Sequence, residues 1–431
     1  MATIVDSAAD AAALIRPDDK VGIGLGPQHP PTLLHALGDR DDWDGLEING
    51  ALLTDLYAVF TNSRVRFLSG FFGPAERFLV ASGANVEYVP GDFRRFGPIL
   101  ESVAPRVMAV ATAPPDADGY LSFSLHAGAT IPEIERCAAD PERLLIIEYS
   151  DAFPRTIGLP PEHPHRIHID DVDVAFESDG QPVNLPDAEG TEVDNTIAEL
   201  AAGFIPDGAT LQTGIGAIPS LIATILAEGS GGGYGVHSEM FTNGLMRLHQ
   251  AGKVTNADKG EFDGYSITTF AAGTPELYSW LRDNDSVRFL PVEVVNDSQM
   301  IAHNRHFVSI NGAMGVDLYG QVAADTVGGT QHSGTGGHED FIAGAGLRLE
   351  DRSLICLHST ANGPDGPISR IMPNVGPSMT VTTPRHQVDV VVTEYGVAEL
   401  QGLTVRERAA AMVEVAHPVF RDELAEAAER I

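Results

Sequence analysis

The chain has 431 residues, a formal net charge of −33, 43% hydrophobic residues, 45 glycines, 28 prolines and two cysteines. That length exceeds what one hydrophobic core sustains and points to two domains of about 150 to 250 residues, in an ordinary globular α/β composition rather than a disordered or fibrous one. The acidic excess argues against nucleic acid as a partner, and no apolar run reaches the roughly 18 residues of a membrane span.

Met1 to Asp10 lacks a basic stretch followed by an apolar one, so a cytoplasmic location is expected. Lys20, Lys253 and Lys259 are the only lysines among the 27 basic residues. So acidic a surface repels itself in dilute solution and is tolerated where salt near 1 M shortens the Debye length to about 3 Å. A salt-loving source accounts for this, and an arginine-rich composition from a GC-rich genome is the competing account.

In chain order, the first signal is Val21-Gly-Ile-Gly-Leu-Gly-Pro27, a glycine turn after a strand-like approach. It lacks the full dinucleotide fingerprint, and the acidic residue expected about 20 positions on is ambiguous among Asp39, Asp41 and Asp42, which leaves a Rossmann dehydrogenase as a distant alternative. Cys137 and Cys356 sit in mostly apolar stretches without a neighbouring His or Lys and read as buried free thiols. Leu144-Leu-Ile-Ile-Glu148, like Val388-Asp-Val-Val-Val392 later, is the short apolar run of a parallel strand. His163-Pro-His-Arg-Ile-His168, followed by Asp170 and Asp171, raises a metal site as a possibility; the intervening proline and the lack of a second cluster favour a solvated loop. Residues 175–193 are polar and rich in Pro, Asp and Gly, which suits a connection between domains 1–185 and 186–431.

The second half opens with Gln212-Thr-Gly-Ile-Gly-Ala-Ile-Pro219, about 190 residues after the first glycine turn, as a duplicated unit would produce; two common strand-to-helix turns would match by chance as well. Gly231-Gly-Gly-Tyr-Gly235 reads as a flexible loop, and Ser333-Gly-Thr-Gly-Gly337 as a turn whose backbone N–H groups could approach an anion. Between them lies Gly235-Val-His-Ser-Glu-Met-Phe-Thr-Asn-Gly244, a strand-like run ending in a turn with Glu239 near its tip. A carboxylate there is either a nucleophile served by an oxyanion site or an exposed loop residue. No Gly-Lys-Ser/Thr of a P-loop occurs. Thr404-Val-Arg-Glu407 is a capping box opening the C-terminal helix.

At these residues the chain resembles the acetyl-CoA hydrolase/transferase family, of the 4-hydroxybutyrate and butyryl-CoA:acetate CoA-transferase type, over almost its whole length. The resemblance rests on Leu211 to Pro219, Gly235 to Phe241, Asp317-Leu-Tyr-Gly-Gln-Val322, Ser333 to Phe341, Val392-Thr-Glu-Tyr-Gly-Val-Ala398 and Ala416-His-Pro-Val-Phe-Arg421. It implies two open parallel-sheet α/β domains with the site at their interface, a homodimer or larger assembly, CoA as a substrate rather than a permanent cofactor, and no metal. Glu239 takes the place of the family's glutamate nucleophile. The CoA-contacting turn corresponds to Gly214, Gly216, Ala217, Ile218 and Pro219, and a second CoA segment to Asn311, Gly312, Gly334, Gly336 and Gly337. His338-Glu339 departs from the family's usual Gln-Val.

The activity so implied is exchange of CoA between a short-chain acyl-CoA and a carboxylate by ping-pong kinetics through a glutamyl-CoA thioester, with hydrolysis of acetyl-CoA as the alternative at the same site. A glutamate of unperturbed pKa near 4.3 would be ionised at neutral pH without a general base. N–H groups around Gly214 and Gly216 are the candidate oxyanion donors, each worth about 3 to 4 kcal/mol. Arg94, Arg95 and Arg385 are candidates for the CoA phosphates and equally for surface ion pairs. A metal enzyme and a non-catalytic binding protein are the readings from other classes.

Overall fold

The computed structural model describes residues 2–126 and 128–431. The chain forms two compact units, one running to Leu185 and including Ile267–Val295, the other comprising Pro186–Ser266 and Asn296–Ile431. The single cut expected after residue 185 therefore misses a return. Leu185 N donates to Gly273 O (2.8 Å), Tyr278 Oη to Val183 O (2.5 Å) and Phe289 N to Ile157 O (2.9 Å), so 267–295 is tied to the first unit.

The first unit is built on a sheet of β1 (Thr3–Ile4), β2 (Lys20–Leu25), β3 (Leu46–Ala51), β4 (Val65–Ser69), β5 (Val86–Tyr88), β6 (Val107–Thr112), β7 (Leu144–Tyr149) and β8 (Val174–Glu177). Its order is β1-β8-β7-β6-β2-β3-β4-β5, with every pairing parallel. Val107-Met-Ala-Val-Ala-Thr112 is buried at all six positions, as a central parallel strand covered on both faces must be. The polar connection starts only after Glu177 and ends where Thr191 caps the helix Glu192–Ala202, so it is shorter at both ends than 175–193.

The second unit contains β9 (Thr210–Thr213), β10 (Gly235–Phe241), β11 (Phe307–Gly312), β12 (Arg352–Cys356), β13 (Val390–Thr393) and β14 (Gly396–Glu399), in the order β10-β9-β11-β12-β13-β14. Pairings are parallel up to β13, and β14 folds back as an antiparallel hairpin. Its core runs through Val316, Ile342, Ile355, Val391 and Met412, with the helix Val405–Glu414 opened by the expected box between Thr404 and Glu407.

Both units share one wiring. In the first, β2 is followed by β3 on one side and later flanked by β6 on the other; in the second, β9 is followed by β10 and later flanked by β11. Such a reversal leaves a crevice at the carboxyl ends of the strands, where open α/β sheets bind ligands. The two glycine turns, after β2 and after β9, occupy corresponding places in this wiring.

Cys137 and Cys356 are free and buried. His165 is buried, its Nε2 2.9 Å from both Thr156 Oγ1 and Ser124 O, while His168 Nε2 meets Asp118 O at 3.1 Å. Among the described residues no helix is long and apolar enough to cross a membrane.

Candidate active site

Glu239 lies inside β10, two residues before its end, and not at the tip of a turn. The turn follows Phe241, where Thr242 caps the helix Asn243–Gln250 by accepting from Leu245 N (3.4 Å). Sequence reading put the glutamate in the turn because the run is short and polar residues interrupt it. The strand holds because both of its faces are enclosed: Val236, His237, Ser238 and Met240 are buried.

Ser238 joins β10 to β9 at the level where β9 ends, three residues before the end of β10. Its Oγ accepts from Thr213 N (3.4 Å) and donates to Met240 O (2.9 Å). The next residue on β9 is Gly214, the next on β10 is Glu239, so the glycine turn and the carboxylate emerge side by side at the crevice. On the other flank Gly214 N donates to Ile310 O (3.4 Å), which brings the end of β11, with Asn311 and Gly312, to the same rim. Asn311 Nδ2 is held by Ser309 Oγ at 2.7 Å, and Ser309 Oγ donates to Gln212 Oε1 at 2.7 Å.

The third wall is the start of the helix His338–Ala345, capped by Gly337. A Cβ at Gly337 would overlap the Glu239 carboxylate and the Asn296 amide, so only glycine lets the helix terminus approach this closely. Gly336, with φ of 55°, makes the turn that aims Gly337 at Glu239, and Gly334 is buried behind it. Asn296 Nδ2 donates to Glu239 Oε2 (2.7 Å) and to Asp340 Oδ2 (2.9 Å), one amide bridging two carboxylates.

These surroundings change the expected protonation. Burial, and to a lesser extent the nearby Asp340 carboxylate, raises the Glu239 pKa to about 8, against the hydrogen bond from Asn296. The free protein thus holds this side chain largely protonated at neutral pH, where the sequence alone led to an ionised one. The three groups that shape the carboxylate, Asn296, Asp340 and the helix terminus at Gly337, come from distant segments. Asn296 belongs to no motif, and Asp340 was visible only as part of Ser333 to Phe341. His338, from the departing pair, is kept neutral by burial with its pKa lowered to about 4.

Other expected features fall elsewhere. The loop at Gly231 is not loose: Gly232 N donates to Asp207 Oδ1 (3.0 Å) and Lys253 Nζ to Gly229 O (2.6 Å) and Gly231 O (2.9 Å). Arg94 and Arg95 lie on the helix Phe93–Val103 of the first unit, and Arg385 covers the Tyr319 ring at 5.8 Å.

Residues 273–428 match the family model for the acetyl-CoA hydrolase/transferase C-terminal domain. The chain is 36% identical to 4-hydroxybutyrate coenzyme A transferase of Clostridium kluyveri, over 97% of this chain and 95% of that protein. It is 33% identical to succinyl-CoA:cyclohexane-1-carboxylate CoA transferase of Geobacter metallireducens, over 99% and 95%. Among solved structures, RipA from Yersinia pestis superimposes with a TM-score of 0.87 at 31% identity, covering 99% of this chain and 97% of that one.

Proposed function

The chain belongs to the acetyl-CoA hydrolase/transferase family, and from that premise we propose that it exchanges CoA between a short-chain acyl-CoA and a carboxylate through a thioester on Glu239. It is a CoA-transferase by kinship. The observation that carries the covalent route is the seat of Glu239, a carboxylate at the carboxyl end of a parallel strand with a helix N-terminus pressed against it.

In this reading a Glu239 oxygen attacks the thioester carbonyl, the carbon–sulfur bond breaks, and an acyl-glutamyl anhydride forms with free CoA thiolate. The thiolate attacks the glutamyl carbonyl and expels the first carboxylate, leaving the glutamyl-CoA thioester. A second carboxylate attacks that thioester and releases the thiolate, which then takes the new acyl group and restores Glu239. The first carboxylate leaves while CoA is held covalently on Glu239, so the kinetics are ping-pong, and no proton is consumed overall, so no triad is needed. With its pKa raised to about 8 by burial, Glu239 is mainly protonated in the free enzyme at pH 7, and the nucleophilic carboxylate is the minor form.

Each tetrahedral intermediate puts negative charge on an oxygen beside Glu239. The helices starting at Ala217 and His338 both aim their N-termini at this rim and supply N–H groups from Gly216 and Gly337, while the Gly214 N–H expected as a donor is already spent on Ile310 O (3.4 Å). The turn Gly214 to Pro219, with Asn311, Gly312, Gly334 and Gly336, is the proposed CoA contact. Gly216 caps its helix with φ of 120° and has no side chain to accept from the first N–H groups, which leaves that end open for an anion. CoA is polyanionic and the chain carries −33, so local donors must outweigh the distant field.

The relatives act on 4-hydroxybutyrate and on succinyl-CoA with cyclohexane-1-carboxylate, as their names state. Short acids such as acetate, propionate, butyrate or 4-hydroxybutyrate are the proposed substrates; one methylene is worth only about 1 to 3 kcal/mol of discrimination. A homodimer or larger assembly in the cytoplasm completes the proposal.

The test is acetyl-CoA in concentrated salt without acceptor, rapid acid digestion, and mass spectrometry of the peptide containing Glu239. A CoA adduct there, absent from Glu239→Ala, is the expected result. Steady release of CoA with no adduct would replace transfer by hydrolysis, the family's other activity.

A further inference from the structure

A cavity of about 330 Å³ lies in the second unit, and its lining includes Asp351, Ser353, Gln387 and Asp389. Asp351 and Asp389 immediately precede β12 and β13, so the cavity opens at the amino ends of the parallel strands, whereas Glu239 stands near the carboxyl end of β10. It is therefore separate from the site already described.

The four polar residues share one property around a single space. Asp351 Oδ2, Ser353 Oγ, Gln387 Oε1 and Asp389 Oδ1 are all buried without a hydrogen-bond partner. Asp351 and Ser353 are 2% exposed and Asp389 8%. In each carboxylate the other oxygen is fixed: Asp351 Oδ1 accepts from Phe307 N (2.8 Å), and Asp389 Oδ2 from Arg352 Nε (2.9 Å) and Ser353 N (3.2 Å). Native structures rarely leave several buried acceptors unmet around one space, and those that do call for a donor from outside.

Charge selects the kind of donor. Arg352 is shared with Glu399 on its far side (2.7 Å), and Arg408, which also lines the cavity, spends its guanidinium on the carbonyls of Arg385 and Val388. Within the lining Asp351 and Asp389 stand against the single guanidinium of Arg408, while Arg352, behind Asp389, is matched by Glu399, which leaves one net negative charge. The carboxyl end of the helix His338–Ala345 contributes Ala343 and Ala345 to the wall and adds the negative pole of its dipole. An anion is thereby disfavoured. Among the described residues no three His, Cys, Asp or Glu are grouped to hold a metal ion. Ile342, Leu347 and Val388 supply apolar wall that a hydrated ion would not use.

We propose that this cavity binds a small primary alkylammonium compound, its –NH₃⁺ donating to Asp351, Asp389 and Gln387 and its chain lying on Ile342 and Val388. The inference does not depend on the role of Glu239. One helix connects the two places: its carboxyl end lines the cavity, and its amino end at Gly337 abuts Glu239, eight residues and about 12 Å away. Occupancy stabilises the element that walls the active site.

The experiment uses the full chain at fixed ionic strength, with n-butylammonium as probe and tetramethylammonium as a control of equal charge without N–H donors, read by calorimetry and thermal unfolding. The expected result is saturable stabilisation by n-butylammonium, at least tenfold weaker with tetramethylammonium. Asp351→Asn keeps the acceptor for Phe307 N and turns an amide donor into the cluster, so the ligand-free melting temperature rises while affinity falls tenfold or more. Gln387→Leu and Ser353→Ala lower affinity severalfold and carry the test if the first variant does not fold. Equal effects of the two cations, absence of saturable binding, or affinity unchanged in all the variants would overturn the proposal and leave a cavity filled by water.

Discussion

Two helices hold corresponding places in the two units and differ in what meets their N-termini. Pro31–Gly38 follows β2, and its amides at Thr32 and Leu33 donate to the buried Glu148 carboxylate (3.1 and 3.0 Å), which also accepts from Ser178 Oγ (2.8 Å). Ala217–Glu228 follows β9, and Gly216 caps it without a side-chain bond. The first unit has thus filled its own anion site with a carboxylate of the chain, and the second has left the equivalent site open beside Glu239. The same wiring makes one crevice structural and the other the proposed site of reaction, so the fold supplies the place and the residues decide the use.

The two glutamates differ in the same sense. Burial raises the pKa of both, but at Glu148 two amides and two hydroxyl-bearing residues, Thr32 and Ser178, pull it back, whereas at Glu239 the Asn296 bond is set against Asp340 and the value reaches about 8. The largest predicted effect separates them outright. Glu239→Gln lowers kcat by roughly 10⁴-fold or more, the scale seen when a covalent nucleophile is removed. Glu148→Gln turns an amide toward helix N–H donors and costs about 2 to 4 kcal/mol of stability, with kcat per folded molecule within about twofold. Unfolding curves and steady-state rates on both variants check this, and a stability loss at Glu239→Gln with activity retained would reverse the comparison.

The stability of the same variant also has a sign. The buried Glu239 stays protonated up to about pH 8, while the unfolded chain ionises near 4.3. Its contribution to stability is therefore present at low pH and lost as pH rises from the unfolded value through 8, at about 1.4 kcal/mol per pH unit over that interval. Glu239→Gln lacks this loss, so its melting temperature gains on the wild type between pH 5 and pH 9.

Gly337→Ala tests the closeness of the helix to the carboxylate. The backbone there, with φ of −92°, accepts alanine without strain, so the helix forms and the added methyl displaces Glu239 and Asn296. A displacement of about 1 Å at a reacting group costs on the order of 10²-fold in kcat. A smaller effect is expected from Asp340→Asn, which removes the like charge and moves the acidic limb of the pH–kcat/KM profile below 8 by about one unit. Unchanged pH dependence in that variant would remove Asp340 from the account of Glu239.

How much of this was legible in the sequence varies with how local the cause is. The β9 turn, the capping box at Thr404 and the strand at Leu144 rest on neighbours in the chain, and all three are where the residues place them. The return of 267–295 to the first unit was not legible, because Leu185 to Gly273 and Tyr278 to Val183 are pairings across some 90 residues that no periodicity encodes. Glu239 was singled out as a residue and misjudged as an environment. Its strand position depends on Ser238 meeting Thr213, and its pKa on Asn296 and Asp340, none of which carries a pattern in sequence.

The smallest expected effect sharpens the comparison most, because it separates two sources of a raised pKa. A chain of −33 could hold Glu239 protonated by its overall field, or burial beside Asp340 could do so locally. The first acts over distances that salt screens, from about 8 Å at physiological ionic strength to 3 Å at 1 M, while a desolvated pair bridged by one amide is screened far less. The acidic limb of the kcat/KM profile should therefore shift by less than about half a pH unit between 0.2 M and 2 M salt, even as unfolding measurements show the acidic surface gaining stability over the same range. A limb that slides toward 4.3 as salt is added would assign the protonation of Glu239 to the surface, and the contrast between the two crevices would then rest on the open helix terminus at Gly216 alone.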